Sequence, residues 1–143
     1  MPGASVLIAD IIVGLIESLK DKNSHKPLKV KDEHYKEVVK HKTKGTAGHD
    51  IEFKDYAPHV FDRIRKQYLG LSVEDYLSSW HIPEAAELSQ SAGRSGSLFY
   101  KTTDKKFLLK TILHPEVGVL LSVLKDYVHY LAHTQQKSLI MRL

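Results

Sequence analysis

Apolar residues crowd the start of the chain. In SVLIADIIVGLIESL (5–19) they cover most of a helix circumference, with only Asp10 and Glu17 charged inside the run. The run is shorter than the roughly 20 residues needed to cross a bilayer, and it has no basic flank or small-residue cleavage site of a signal peptide. It therefore predicts a helix buried against the rest of the fold or against a second subunit. Residues 20–50 change character: nine lysines are interleaved with acids, and TKGTAGHD (43–50) is loop-forming. Within this segment PLKVKDEHYKEVVK leaves room for a short strand and a short helix.

Regular periodicity resumes at IEFKDYAPHVFDRIRKQYL (51–69), a short strand leading into a helix over 57–69. Asp55 is the expected N-cap, and Pro58 suits the first turn, where its missing N–H has no consequence. Phe61, Ile64 and Tyr68 fall on one face, and Gly70 ends the helix. Ser72 followed by Asp75 resembles a capping box opening a helix over 73–80. Pro83 and the small residues of 84–92 form a linker. SLFY (97–100) and KFLLKTI (106–112) then alternate as paired strands, which puts Leu108 and Lys110 on one face and Phe107 and Leu109 on the other. Val117, Leu120, Leu121, Leu124, Val128 and Leu131 recur at helical spacing, predicting a helix over 115–132 packed on that sheet, and KSLIMRL begins a further strand. The expected class is α+β, with a small antiparallel sheet packed on helices. Ending inside an apolar run looks like truncation.

Composition narrows the chemistry. The 143 residues suit one domain, or a piece of one. The absence of cysteine excludes disulfides and thiolate metal sites. The histidine spacings are read as carrying no metal site. A net charge of +4 favours an anionic partner: a nucleotide, a membrane surface or a nucleic acid. The last is ranked lowest, because the lysines alternate with acids and no binding motif accompanies them. For the lysine-rich segment a solvated loop is favoured over a face toward anionic lipid. In the second half, GRSGSLFYKTTDKKFLLKT (93–111) places a Gly/Ser loop and then a lysine leaving a strand, and Glu116 follows at the next helix. Kinases hold ATP with such parts. GRSG is not a full glycine-rich motif, however, and an ordinary solvated lysine fits as well.

Several ordered motifs together resemble the N-terminal lobe of the phosphatidylinositol phosphate kinase family, nearer its type I (4-phosphate 5-kinase) branch. FKDYAPHVFDRIRKQYLGLSVEDYL is similar to the family's F-K-x-Y-x-P-x-x-F segment and the arginine-bearing helix and D-Y that follow it. AELSQSAGRSGSLFYKTTDKKFLLKT is similar to its S-G-x-S-G-S-x-F-[FY] loop and D-x-x-F-[IL]-[IL]-K-T strand. HPEVGVLLSVLKDYVHYL resembles the next helix, and SLIMRL the strand after it. The resemblance covers 51–143 and, more loosely, 5–20, where the family carries a helix implicated in dimer contacts. Departures are Ala92 for a serine or glycine, Lys125 for a frequent proline, and Gly118, which weakens its helix.

The resemblance implies three segments: an N-terminal helix (1–20) with a dimer role, a lysine-rich connection (21–50) and a kinase N-lobe (51–143). It implies ATP as ligand, with Gly93, Ser95, Gly96 and Ser97 in the phosphate-covering loop, Leu108 on the adenine side and Lys110 as the ATP lysine. Glu116 is either the partner of Lys110 or simply a carboxylate at a helix N-terminus. It implies a phosphoinositide substrate, an anionic membrane surface at the cytoplasmic face, a homodimer and no nucleic acid. Magnesium would be needed, but its ligands and the family's catalytic aspartate fall outside the matched motifs, so the 143 residues are expected to be inactive alone. The alternative is a non-catalytic dimerisation and membrane-surface module.

Overall fold

The computed structural model describes residues 4–21, 29–83 and 97–134. Helix α1 (Ala4–Lys20) leads, followed by a 3-10 helix (Asp32–Lys36), strands β1 (Val38–Lys44) and β2 (Asp50–Tyr56), and helix α2 (Pro58–Arg63). A π-helical turn (Ile64–Tyr68) extends α2, and α3 (Val73–Ser78), β3 (Phe99–Lys101), β4 (Leu108–Lys110) and α4 (His114–Thr134) complete the order. Both sheets are two-stranded and antiparallel, so the fold is α+β.

The β1–β2 hairpin extends what the sequence suggested for 27–40. Strand β1 alternates strictly, but its inward positions are Val39, His41 and Thr43, too polar to show an apolar period. The outward face carries Lys40, Lys42, Lys44, Glu52 and Lys54. Lys42 faces Glu52 and Lys44 is ion-paired to Asp50, whereas Lys40 stands opposite Lys54.

Helix α1 is buried against its own chain. Ile8, Ile12 and Leu19 form one core with Trp80 and Tyr100, joined by Tyr76, Phe107 and Leu109. Polar ties fix it on the hairpin: the Ser18 hydroxyl donates to Asp55, and Asp10 Oδ2 lies 2.7 Å from Nε2 of His49. Gly14 has a packing role, since a Cβ there would sit 2.8 Å from Phe53 Cβ and nearer still to its ring. The helix thereby tolerates a residue that weakens it by about 1 kcal/mol relative to alanine.

Two local expectations need correction. Asp55 does not cap α2: the N-cap is Ala57, held in a left-handed conformation (φ 48°) with no side-chain cap, while Asp55 is engaged by Ser18. Ala57 N–H instead donates to the Glu37 carbonyl (2.8 Å), which ties the start of α2 to β1. Helix α4 also packs elsewhere than expected. Its buried Leu124 and Leu131 join Ala57, Val60 and Ile64 in a second core with Tyr35, Phe61 and Tyr68, while the inner face of β3–β4 lies in the first core with α1 and α3. Three other local readings hold, while the expected linker over 84–92 lies outside the described residues. Pro58 opens α2, Gly70 (φ 66°) follows its π turn, and Ser72 Oγ accepts from Asp75 N–H (3.0 Å) at the head of α3.

Candidate functional site

The β3–β4 hairpin is built by the side chains of DKKFLLKT. Asp104 makes the turn: its carboxylate accepts from the hydroxyls of Ser79 and Thr102 (both 2.6 Å) and from Lys106 N–H (3.1 Å). Those bonds, the Ser79 one foremost, pull its carboxyl down to about 2. Lys105 takes the left-handed position beside it (φ 62°). Phe107 anchors the strand in the core, edge-on to Tyr76 at 4.9 Å and stacked on Trp80 at 6.1 Å. Burial raises the Tyr76 phenol in this aromatic group. At the far end Thr111 closes the ladder, its Oγ1 accepting from Leu98 N–H (2.8 Å) while its own N–H donates to Leu98 O (3.0 Å).

With both ends fixed, strand alternation decides what faces solvent. Phe99 pairs with Lys110, and Lys101 with Leu108, so these four side chains share one face; Tyr100 and Leu109 point inward. Leu108 is 52% exposed, as its place on the Lys110 face predicts. The Lys110 ammonium lies over the Phe99 ring, 5.8 Å from its centroid. Among the described residues no carboxylate pairs with Lys110. Glu116 serves its helix instead: Oε2 accepts from Leu113 N–H (3.3 Å), the reciprocal half of a capping box. Ser97 sits beside the closed end of the ladder. Gly93, Ser95 and Gly96 lie outside the described residues, as does the KSLIMRL strand.

Sequence reasoning passed over three features, two at this hairpin and one away from it. Phe99 had a readable signal, being the cross-strand partner of Lys110 once the hairpin register is set. Asp104 had one too, an acid inside a T-T-D-K-K turn. The third is a histidine pair that the reading of no metal site overlooks: His129 and His133 stand one helical turn apart on α4, with His133 Nδ1 2.8 Å from the His129 carbonyl oxygen.

An antiparallel hairpin face that carries Lys101 and Lys110 is suited to hold an anionic ligand. Comparison with known proteins gives that class a family. Residues 83–143 match the family model of phosphatidylinositol-4-phosphate 5-kinase. Similar proteins include phosphatidylinositol 4-phosphate 5-kinase its3 of Schizosaccharomyces pombe, 41% identical over 85 residues (59% of this chain, 11% of that protein). The type-1 alpha 5-kinase of Rattus norvegicus is 42% identical over 78 residues (54% and 14%). Phosphatidylinositol 4-phosphate 5-kinase 3 of Arabidopsis thaliana is 30% identical over 123 residues (84% and 17%). Over part of its length the chain is similar to phosphatidylinositol 4-phosphate 5-kinases. It matches less than a fifth of the length of each of these three proteins.

Proposed function

We propose that this chain is the ATP-binding lobe of a phosphatidylinositol phosphate kinase, whose whole protein transfers the ATP γ-phosphate to a phosphoinositide head group. One observation carries the reading: Lys110 projects from the solvent-facing side of β3–β4 with no carboxylate partner among the described residues. A strand lysine in this place contacts the α- and β-phosphates. Backbone N–H groups of Gly93, Ser95, Gly96 and Ser97 would cover those phosphates, and Leu108, exposed on the same face, would meet the adenine. Glu116 would steady Lys110 only by leaving the Leu113 N–H it now accepts. Magnesium and the groups that orient the lipid hydroxyl come from outside these 143 residues, so the chain holds nucleotide and does not transfer phosphate alone.

A second reading, an assembly and membrane-surface module, has its own support. Lys40 and Lys54 face each other across β1–β2 without an acid between them, and each lysine near an anionic surface contributes about 1 kcal/mol. Among the described residues no helix is long and apolar enough to cross a membrane. Exposed Leu113 and Val119, with Val123 on the same helix, would favour a homodimer.

Calorimetric titration of magnesium-ATP into this chain and into Lys110→Ala separates the two. Binding that falls at least tenfold in the variant supports the nucleotide lobe. Because Lys110 is exposed, the variant keeps its fold, which circular dichroism checks. Equal binding by both proteins removes Lys110 from the site, and no binding by either moves this molecule to the assembly reading.

A further inference from the structure

His34, Glu37 and His59 come from three elements and converge beneath the second core. His34 is buried in the 3-10 helix, Glu37 joins that helix to β1, and His59 lies in the first turn of α2. One potential ligand atom from each lies within 4.8 Å of the others. The backbone bond from Ala57 N–H to Glu37 O holds the two sides of the cluster together. We propose that these three side chains form a binding site for a divalent transition cation of the zinc class.

The donor set selects the ion. Two imidazoles and one carboxylate suit zinc and its neighbours, whereas magnesium and calcium require oxygen ligands. The geometry is close to that required. Nδ1 of His59 lies 3.2 Å from Oε1 of Glu37. Two ligands on one tetrahedral zinc, with arms of roughly 2.0–2.1 Å, stand about 3.3 Å apart. The rings of His34 and His59 have centroids 4.8 Å apart. The same arms place two bound imidazole centroids about 5 Å apart. At its widest the ligand set closes by roughly 1.5 Å to reach tetrahedral spacing. Glu37, with the longest and most exposed of the three side chains, can swing to supply part of this movement.

Binding has a specific structural consequence. Nδ1 of His34 now accepts from Lys31 N–H at 2.9 Å, which caps the 3-10 helix. A neutral imidazole has one ring nitrogen with a free electron pair, and that bond uses it. Whichever nitrogen binds the ion, the pair goes to the metal and Lys31 N–H loses its acceptor. Lys31 is exposed, so water can replace the lost partner. Loading therefore exchanges a helix cap for a cross-link between the 3-10 segment and α2.

The test uses the untagged chain carrying His129→Gln and His133→Gln, which removes the exposed helical pair. Zinc chloride is titrated by calorimetry, with magnesium chloride as the control, and the Lys31 amide is followed by NMR. Expected are one equivalent of zinc, no magnesium binding, and a Lys31 amide that shifts and exchanges faster on loading. His59→Gln, which leaves the His34 cap in place, weakens zinc at least tenfold. No zinc binding at concentrations up to that of the protein overturns the proposal. So does binding that survives His59→Gln, or binding that leaves the Lys31 amide unmoved. Zinc binding that is lost only through His129→Gln and His133→Gln assigns the ion to α4 and overturns it equally.

Discussion

Replacing Gly14 by alanine tests how α1 meets the β1–β2 hairpin. On helix propensity alone the change is favourable by about 1 kcal/mol, because glycine loses more backbone freedom on folding than alanine does. The structure opposes it. The new methyl would lie 2.5 Å from Phe53 Cγ and 2.8 Å from Phe53 Cβ. Real Cβ atoms do not approach so closely. Rotating the ring would leave the Cβ contact in place, so the helix or the strand must move. That movement strains the Ser18–Asp55 and Asp10–His49 ties on the same interface. Forcing a methyl into a packed contact costs roughly 1–3 kcal/mol. Setting the helix gain against it leaves a net loss of up to about 2 kcal/mol. Urea unfolding followed by circular dichroism measures this as a lower midpoint at unchanged slope. The double variant Gly14→Ala, Phe53→Ala should cost less than the sum of its single changes, because removing the ring relieves the two closest contacts although the Cβ contact stays. A single variant more stable than the parent would refute the close approach, and with it the seating of α1 on the hairpin.

Leu124→Ala, which empties a fully buried position between α4 and α2, should destabilise by about 2–5 kcal/mol in the same assay; a loss below about 1 kcal/mol would mean α4 is loosely docked. Acid should expose Asp104. Its carboxyl is held near 2, below its ordinary value, so its contribution is complete above the ordinary carboxylate range and disappears as pH falls through about 2. Ser79→Ala removes the leading cause, so less stability should be lost to acid and the loss should level off at a higher pH than in the parent; coincident pH profiles would show that the Ser79 bond is not made. Lys125→Ala, by contrast, should leave the unfolding midpoint unmoved at physiological salt. The Asp32 partner is lowered chiefly by its hydrogen bond to Lys125, but both groups are fully exposed and their pairing is screened. A clear drop would show that the pair anchors the 3-10 segment to α4.

The parts of the fold legible in the sequence are those in which local chemistry and tertiary packing agree. Pro58, Gly70 and Ser72 punctuate the helices where turn and cap preferences place them. Alternation assigned Lys110 and Leu108 to one face correctly because Phe107 and Leu109 had a core to enter. Where long-range contact overrides local preference, the sequence was silent or misleading. Asp55 is a good N-cap residue, yet Ser18, 37 residues earlier, takes its carboxylate. Val39, His41 and Thr43 alternate as a strand, but their inward set is largely polar, and α1 packing on the hairpin leaves it half-buried. Helix α4 shows a clear apolar stripe, and a stripe specifies a buried face without naming its partner. His34 and His59 stand on different elements far apart in the chain, so no spacing rule pairs them.

The same distinction bears on the proposed nucleotide site. Asp104, Phe107 and Thr111 hold the β3–β4 hairpin through a turn, an aromatic anchor and a closed ladder, and none of those contacts uses Lys110. The lysine can therefore be changed without disturbing the frame that presents it, and its loss reports on ligand binding alone. Phe99 extends the reasoning. An exposed cation over an aromatic ring gains about 0.5–1 kcal/mol, enough to bias the lysine toward the open face but little enough for a phosphate to displace. If Lys110 binds nucleotide, Phe99→Leu should weaken magnesium-ATP by about two- to fivefold while leaving the unfolding midpoint nearly unchanged. A loss of stability with unchanged nucleotide affinity would make Phe99 a packing residue and leave Lys110 to find its ligand unaided.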